Sequence, residues 1–208
     1  SFAYFSPLLE GKRIDGHDIK TYMGMSKEIK DFRDETGEEA LWTNSLFSGM
    51  PAYQISVNYK SNLVKYIDKI ITLGIPRPAN LLFLYLLGFY FLLISLGIDY
   101  RIAAIGAFAY AFSSYFFIII QAGHMTKAHA IGYLPMVVAS VLYTYRGKIL
   151  LGGVLTALSV ALQIFSNHYQ ITYYLILVLI IIGFSQLYKD FKSNNLISFF
   201  KRSGVLIL

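Results

Sequence analysis

Residues 79–97 read ANLLFLYLLGFYFLLISLG, nineteen residues in a row without a single charge. The apolar side chains do not alternate as a half-buried strand requires. The run also approaches the roughly 20 residues that a helix needs to cross about 30 Å of hydrocarbon. Outward from it, similar runs occupy 101–120, 130–145, 149–165 and 169–187, and another begins near 196. Residues 1–9, closed by Pro7, read as the end of an earlier span that starts before Ser1, and the last run would continue beyond Leu208. The chain thus reads as part of a longer protein. The predicted fold class is all-α: a polytopic transmembrane helix bundle over 79–208, preceded by a long loop over 10–78. A hydrophobic share of 56% supports that class against an ordinary soluble domain.

The net charge of +6 raises the question of a nucleic-acid partner, and its distribution answers it. Residues 1–80 hold ten Lys/Arg and ten Asp/Glu, so the excess lies entirely in 81–208, where eight Lys/Arg face two Asp/Glu. Seven of those eight (Arg101, Arg146, Lys148, Lys189, Lys192, Lys201 and Arg202) fall in the turns on one side of the predicted bundle. That asymmetry is the positive-inside pattern, which makes those turns cytoplasmic and predicts a multi-pass protein. The segments 10–78, 121–129 and 166–169 are then extracytoplasmic. With no Asn-x-Ser/Thr sequon in the chain, a bacterial inner membrane fits better than the endoplasmic reticulum. The expected partner is the lipid bilayer and not nucleic acid. There is no cysteine, hence neither a disulfide nor a thiolate metal site.

The long loop has helical patterning of its own. Ile19, Tyr22, Met23, Ile29 and Phe32 recur at helical spacing up to Gly37, which would end the helix. From Ser61 to Thr72 a second amphipathic stretch sets Leu63, Tyr66, Ile67, Ile70 and Ile71 against Lys65, Asp68 and Lys69. Both suit helices lying in the membrane interface, apolar face down. Between them, Trp42 reads as an interfacial anchor or as a wall against a sugar or lipid, and Gly49-Met50-Pro51 reads as a tight turn.

All four histidines fall on the predicted outer face: His17 beside Asp18, His124 and His129 around Lys127, and His168 after Asn167. Asp18 has two readings. It can cap the helix running from Ile19, or act as a general base toward an acceptor hydroxyl; Asp15 is a turn residue of Arg13-Ile14-Asp15-Gly16. Lys127 is the one cation in the short outer turns. With imidazoles beside it, it suits a phosphate or pyrophosphate head group, the alternative being a lysine snorkelling to the bilayer surface. No His-x-x-x-His or comparable ligand spacing supports a histidine metal site, and no metal or other cofactor is expected, although the residues leave open a divalent cation bridging Asp18 to a phosphate. No acidic residue lies in the middle of a predicted span, which counts against a proton pathway. Gly106, Gly152 and Gly153 read as sites of close helix approach, and Pro135 as a kink or helix start.

These pieces resemble the YfhO-type family of bacterial membrane proteins, within the GT-C class of polyprenyl-phosphate-dependent glycosyltransferases. The resemblance is carried by Gly16-His17-Asp18-Ile19 with Tyr22, by Trp42-Thr43-Asn44 with Phe47-Ser48-Gly49-Met50-Pro51, by Gly123-His124 through Lys127-Ala128-His129, and by Asn167-His168. It covers essentially all 208 residues, and the wording is most similar to versions from Bacteroidetes. What it implies is a large first external loop with helices on the membrane and a catalytic base near the loop's start, a role that falls on Asp18. The donor would be a sugar on polyprenyl phosphate. Its phosphate would be met by Lys127 with His124 and His129 in support, while the binding mouth would draw on His17, Tyr22, Trp42, Asn167 and His168. The acceptor, of the cell envelope, is not specified. The loop shows one acid where an Asp-x-Asp pair would recruit a metal. Two other functions compete: a transporter or flippase of lipid-linked sugars, which needs the mouth but no base, and a non-catalytic membrane scaffold.

Overall fold

The computed structural model describes residues 3–12, 14–56 and 61–207. Among the described residues the chain is all-α apart from one two-residue strand pair. The loop contributes α1 (His17–Met25), α2 (Lys27–Thr36) and α3 (Val64–Ile71). The remainder forms α4 (Ala79–Ser95), α5 (Tyr100–Ala111), α6 (Ser114–Ala122), α7 (Met125–Tyr145), α8 (Ile149–Phe165), α9 (Tyr169–Lys192) and α10 (Leu196–Ile207).

Among the described residues, α7 and α9 are long and apolar enough to cross a membrane, and the pair α5–α6 makes a third such segment if its two halves are one broken span. The sequence predicts one continuous helix over 101–120. Instead α5 ends at Phe112 and α6 restarts after Ser113, whose extended backbone bends the pair by 42°. Helices α4 and α8, at 17 residues each, are apolar but shorter. At 1.5 Å per residue they reach about 25 Å.

Helix α7 organises the rest. Of its most apolar stretch 67% is buried, against 11% for α9, so α7 is the central post and α9 stands at the periphery. Pro135 lies buried in the interior of α7 and does not start it. The α4–α7 seam is closed by the Tyr85 hydroxyl, which donates to the Ala128 carbonyl at 2.9 Å. Around it Leu81, Leu82, Phe116, Ile119 and Ile120 form the core nearest the loop. The glycines meet their neighbours as small residues in a helical bundle do: Gly106 lies against Leu93, Gly152 against Thr144 and Gly153 against Val205. At the end away from the loop, the Arg146 guanidinium donates to the carbonyls of Ser95 and Leu96, satisfying the last turn of α4.

The loop departs from its predicted form in three places. The single helix expected from Ile19 to Gly37 is two, broken at buried Ser26, with Gly37 in left-handed conformation closing the second. The turn expected at Gly49-Met50-Pro51 lies earlier, at Phe47-Ser48-Gly49. All three have positive φ, and Met50–Pro51 pairs antiparallel with Trp42–Thr43. Third, residues 3–10 are turn and 3-10 helix where the end of a span was expected, with Pro7 in the first turn and Gly11 closing it. The Glu28 carboxylate ties α2 to the strand pair by accepting from the Thr43 hydroxyl at 2.6 Å and from the amides of Asn44 and Ser45 at 3.0 Å. The Thr43 hydroxyl, with those backbone donors, holds Glu28 below the usual carboxylate range.

Candidate functional site

The loop is fastened to the N-terminal end of α7 at two points, and each is an aspartate–histidine pair. The first begins with two glycines. A Cβ on Gly16 would stand 3.0 Å from the Gln121 carbonyl oxygen, and one on Gly123 would stand 3.1 Å from the Ile19 amide nitrogen. Gly123 also has φ +94°, a conformation that side chains disfavour. These positions let the start of α1 lie directly on the α6–α7 turn. Gly16 occupies the cap position and α1 begins at His17. The reading of Asp18 as helix cap is therefore corrected: Asp18 lies inside the first turn, and its carboxylate faces His124.

His124 Nδ1 lies 2.7 Å from Asp18 Oδ2. The contact is an ion pair when the imidazole is protonated. Asp18 Oδ1 is 3.7 Å from His17 Nδ1, beyond hydrogen-bond length, and His17 itself is almost fully exposed. The pair thus has one carboxylate oxygen engaged and one available. Asp18 and His124 line a cavity of about 870 Å³, together with Tyr22, Lys12, Arg77 and Thr126 and an apolar wall that includes Leu8, Ile14, Ile19 and Met125. That volume is in the range that holds a small organic ligand. The Tyr22 hydroxyl lies 3.2 Å from Ser56 Oγ, which steadies its ring at the rim.

The second fastening is buried. His129 Nε2 and the Tyr133 hydroxyl both donate to Asp68 Oδ1, at 2.7 and 2.6 Å. The His129 side chain is 3% exposed and that of Asp68 17%. Val64, Ile67 and Ile71 of α3 pack beside them against Leu84, Tyr133, Met136 and Leu162. Burial by itself raises the Asp68 pKa, but the hydrogen bond and charge of His129, the Tyr133 hydroxyl and the nearby Arg77 outweigh it and hold Asp68 below its ordinary value. Two sequence-based expectations change here. His129 does not join the mouth around Lys127, and Asp68 is not on a solvated face. The buried stripe of α3 is rotated from the predicted one, leaving Leu63, Tyr66, Ile70 and Leu73 exposed.

The other predicted site residues divide. Lys127 turns toward the Tyr115 ring, 5.6 Å from its centroid, and does not line the cavity. His168 is held below its usual pKa, by burial first and then by the charges of Lys127 and His124, so these three groups share one region. Asn167, in left-handed conformation, donates to the Tyr53 carbonyl at 3.4 Å and ties the α8–α9 turn to the loop. Trp42 lies over Gly49 in the strand pair, more than half exposed and away from the cavity. Among the described residues no three His, Asp or Glu side chains converge to hold a metal ion.

No family model, curated protein or solved structure matches the chain. The chemistry of the site therefore rests on its own geometry. That geometry offers a carboxylate oriented by an imidazole, an amphiphilic cavity before it, and cations on its wall. Such a site can take a proton from a bound hydroxyl and hold an anionic, partly apolar ligand.

Sequence reasoning missed Asp68, Tyr133, Arg77 and Lys12. For Asp68 a signal exists: with Val64, Ile67 and Ile71 it completes an i, i+3, i+4, i+7 stripe, so it is an acid on the apolar face.

Proposed function

We propose that the protein is a polytopic membrane glycosyltransferase of the GT-C type, moving a sugar from a polyprenyl-phosphate donor to an acceptor at the extracytoplasmic face of a bacterial inner membrane. The observation that carries this reading is the Asp18–His124 pair. Its carboxylate is fixed on one oxygen and open on the other, at the rim of a cavity between a loop and an apolar bundle. In the reaction, Asp18 accepts the proton of the acceptor hydroxyl as the oxygen attacks the anomeric carbon. The carbon–oxygen bond to the donor phosphate breaks, the polyprenyl phosphate leaves with the electron pair, and the configuration inverts. His124 positions the carboxylate. The excess of Lys and Arg in the segments predicted to lie on one side of the bundle supports the orientation, with the loop outside, and the apolar cavity wall supports a lipid-linked donor.

The test is sugar transfer by the purified full-length protein from polyprenyl-phosphate donors, wild type beside Asp18→Asn. Losing a general base is expected to lower turnover by about 10³-fold with donor affinity retained. Equal turnover in the two proteins would remove Asp18 as the base, and donor binding without transfer by the wild type would point to a transporter.

A further inference from the structure

Arg77 is the cation of the cavity wall without a direct ion pair, although its charge reaches Asp68. Among the described residues it makes no hydrogen bond and no ion pair. Its neighbours on the wall are already engaged: Lys12 pairs with Glu10 at 2.6 Å, and Asp18 is taken by His124. The Arg77 backbone is restricted by the buried Pro78 that follows it, at the junction where the loop enters α4. The guanidinium lines the cavity, and the one carboxylate whose charge it is shown to act on, Asp68, already accepts from His129 and Tyr133. A guanidinium offers a planar fork of donors that matches a phosphate, and it is not lost by deprotonation. The apolar wall beside it (Leu8, Ile14, Ile19 and Met125) adds a surface for the hydrocarbon or ring of an ester.

We propose that Arg77, and not Lys127, is the anion anchor of the cavity, taking the phosphate of a phosphate ester whose reacting part then lies toward Asp18. This rests on the glycosyltransferase reading for the identity of the reacting group, though not for the anion itself. The phosphate can belong to a lipid headgroup or to a soluble phosphate, and the chemistry at Arg77 is the same for both.

The experiment uses the full-length protein in lipid nanodiscs, titrated with farnesyl phosphate, farnesol and inorganic phosphate, with wild type beside Arg77→Gln, Arg77→Lys and Lys127→Gln. Wild type is expected to bind farnesyl phosphate more tightly than farnesol. Arg77→Gln should weaken farnesyl phosphate at least tenfold and leave farnesol unchanged, a split that a merely structural role would not produce. Arg77→Lys should fall between, and Lys127→Gln should stay within twofold. Binding of inorganic phosphate with the same dependence on Arg77 would assign a soluble source, and its failure to bind would assign the lipid headgroup; both support the anchor. Arg77→Gln within twofold of wild type for farnesyl phosphate, a tenfold loss in Lys127→Gln, or a wild type indifferent to the phosphate would overturn it. The two readings fail separately. A protein that transfers sugar but binds phosphate without Arg77 loses the anchor, and one that binds through Arg77 but transfers nothing loses the transferase.

Discussion

Two aspartate–histidine pairs join the loop to α7. They have the same 2.7 Å separation, and their histidines are five positions apart, yet they are different devices. In Asp18–His124 both side chains are nearly half exposed and one carboxylate oxygen is open to the cavity. In Asp68–His129 the imidazole is buried, Tyr133 donates to the same oxygen, and aliphatic side chains of α3 and the bundle close around it. A hydrogen-bonded ion pair in water is worth little to stability, whereas breaking one partner of a buried pair leaves an uncompensated group in low dielectric. Identical residue types therefore give a half-exposed pair at the cavity, the one the proposed reaction uses, and a buried latch at the other point.

The contrast can be broken from either side. The largest stability effect should come from His129→Ala, which leaves Asp68 half-buried with one donor fewer. A loss of about 3 kcal/mol is expected, read as a lower melting temperature in nanodiscs, with turnover of the folded fraction within about threefold of wild type. Gly123→Ala should cost about 1–2 kcal/mol from its φ of +94° alone. By pushing α1 off the α6–α7 turn it should also lower turnover about tenfold, without any polar group being deleted. A melt and a rate assay on one preparation check both. The smallest effect is in acid. Asp68 has a lowered pKa in the folded state, so the latch is fully stabilising above the ordinary carboxylate pKa of about 3.9. Its contribution declines as pH falls below that value through the folded-state pKa. Asp68→Asn should remove this part of the acid slope in a pH series of melts, while Asp18→Asn should leave it.

Much of the helical plan is legible in the sequence because long apolar runs leave little alternative. The helices α4, α8 and α9 begin at Ala79, Ile149 and Tyr169, where the apolar runs begin. The breaks are not legible. Phe112-Ser113 holds neither Gly nor Pro, and Gly24 before Ser26 is a signal that a longer helix can also tolerate. Of the candidate site, Asp18, His17, Tyr22 and His124 could be read as polar groups near one mouth; the structure puts Asp18, Tyr22 and His124 on the cavity wall and leaves His17 in solvent. His129 could not be separated from them, because sequence distance does not reveal which face of α7 a histidine occupies. For α3, eight residues that include Lys65 and Lys69 allow two apolar faces, and only packing against Leu84 and Leu162 selects the one that carries Asp68. Arg77 was hidden because an arginine between two prolines looks like a breaker and not like a ligand.

The most direct measurement is a side-by-side comparison of Asp18→Asn and Asp68→Asn in sugar transfer and in thermal stability, on full-length protein at a temperature where both are folded. If the two pairs differ as described, Asp18→Asn loses transfer by about 10³-fold and melts within about 1 kcal/mol of wild type, while Asp68→Asn melts lower and still transfers. The reverse assignment, or equal losses of transfer in both, would contradict the division of labour between the two pairs.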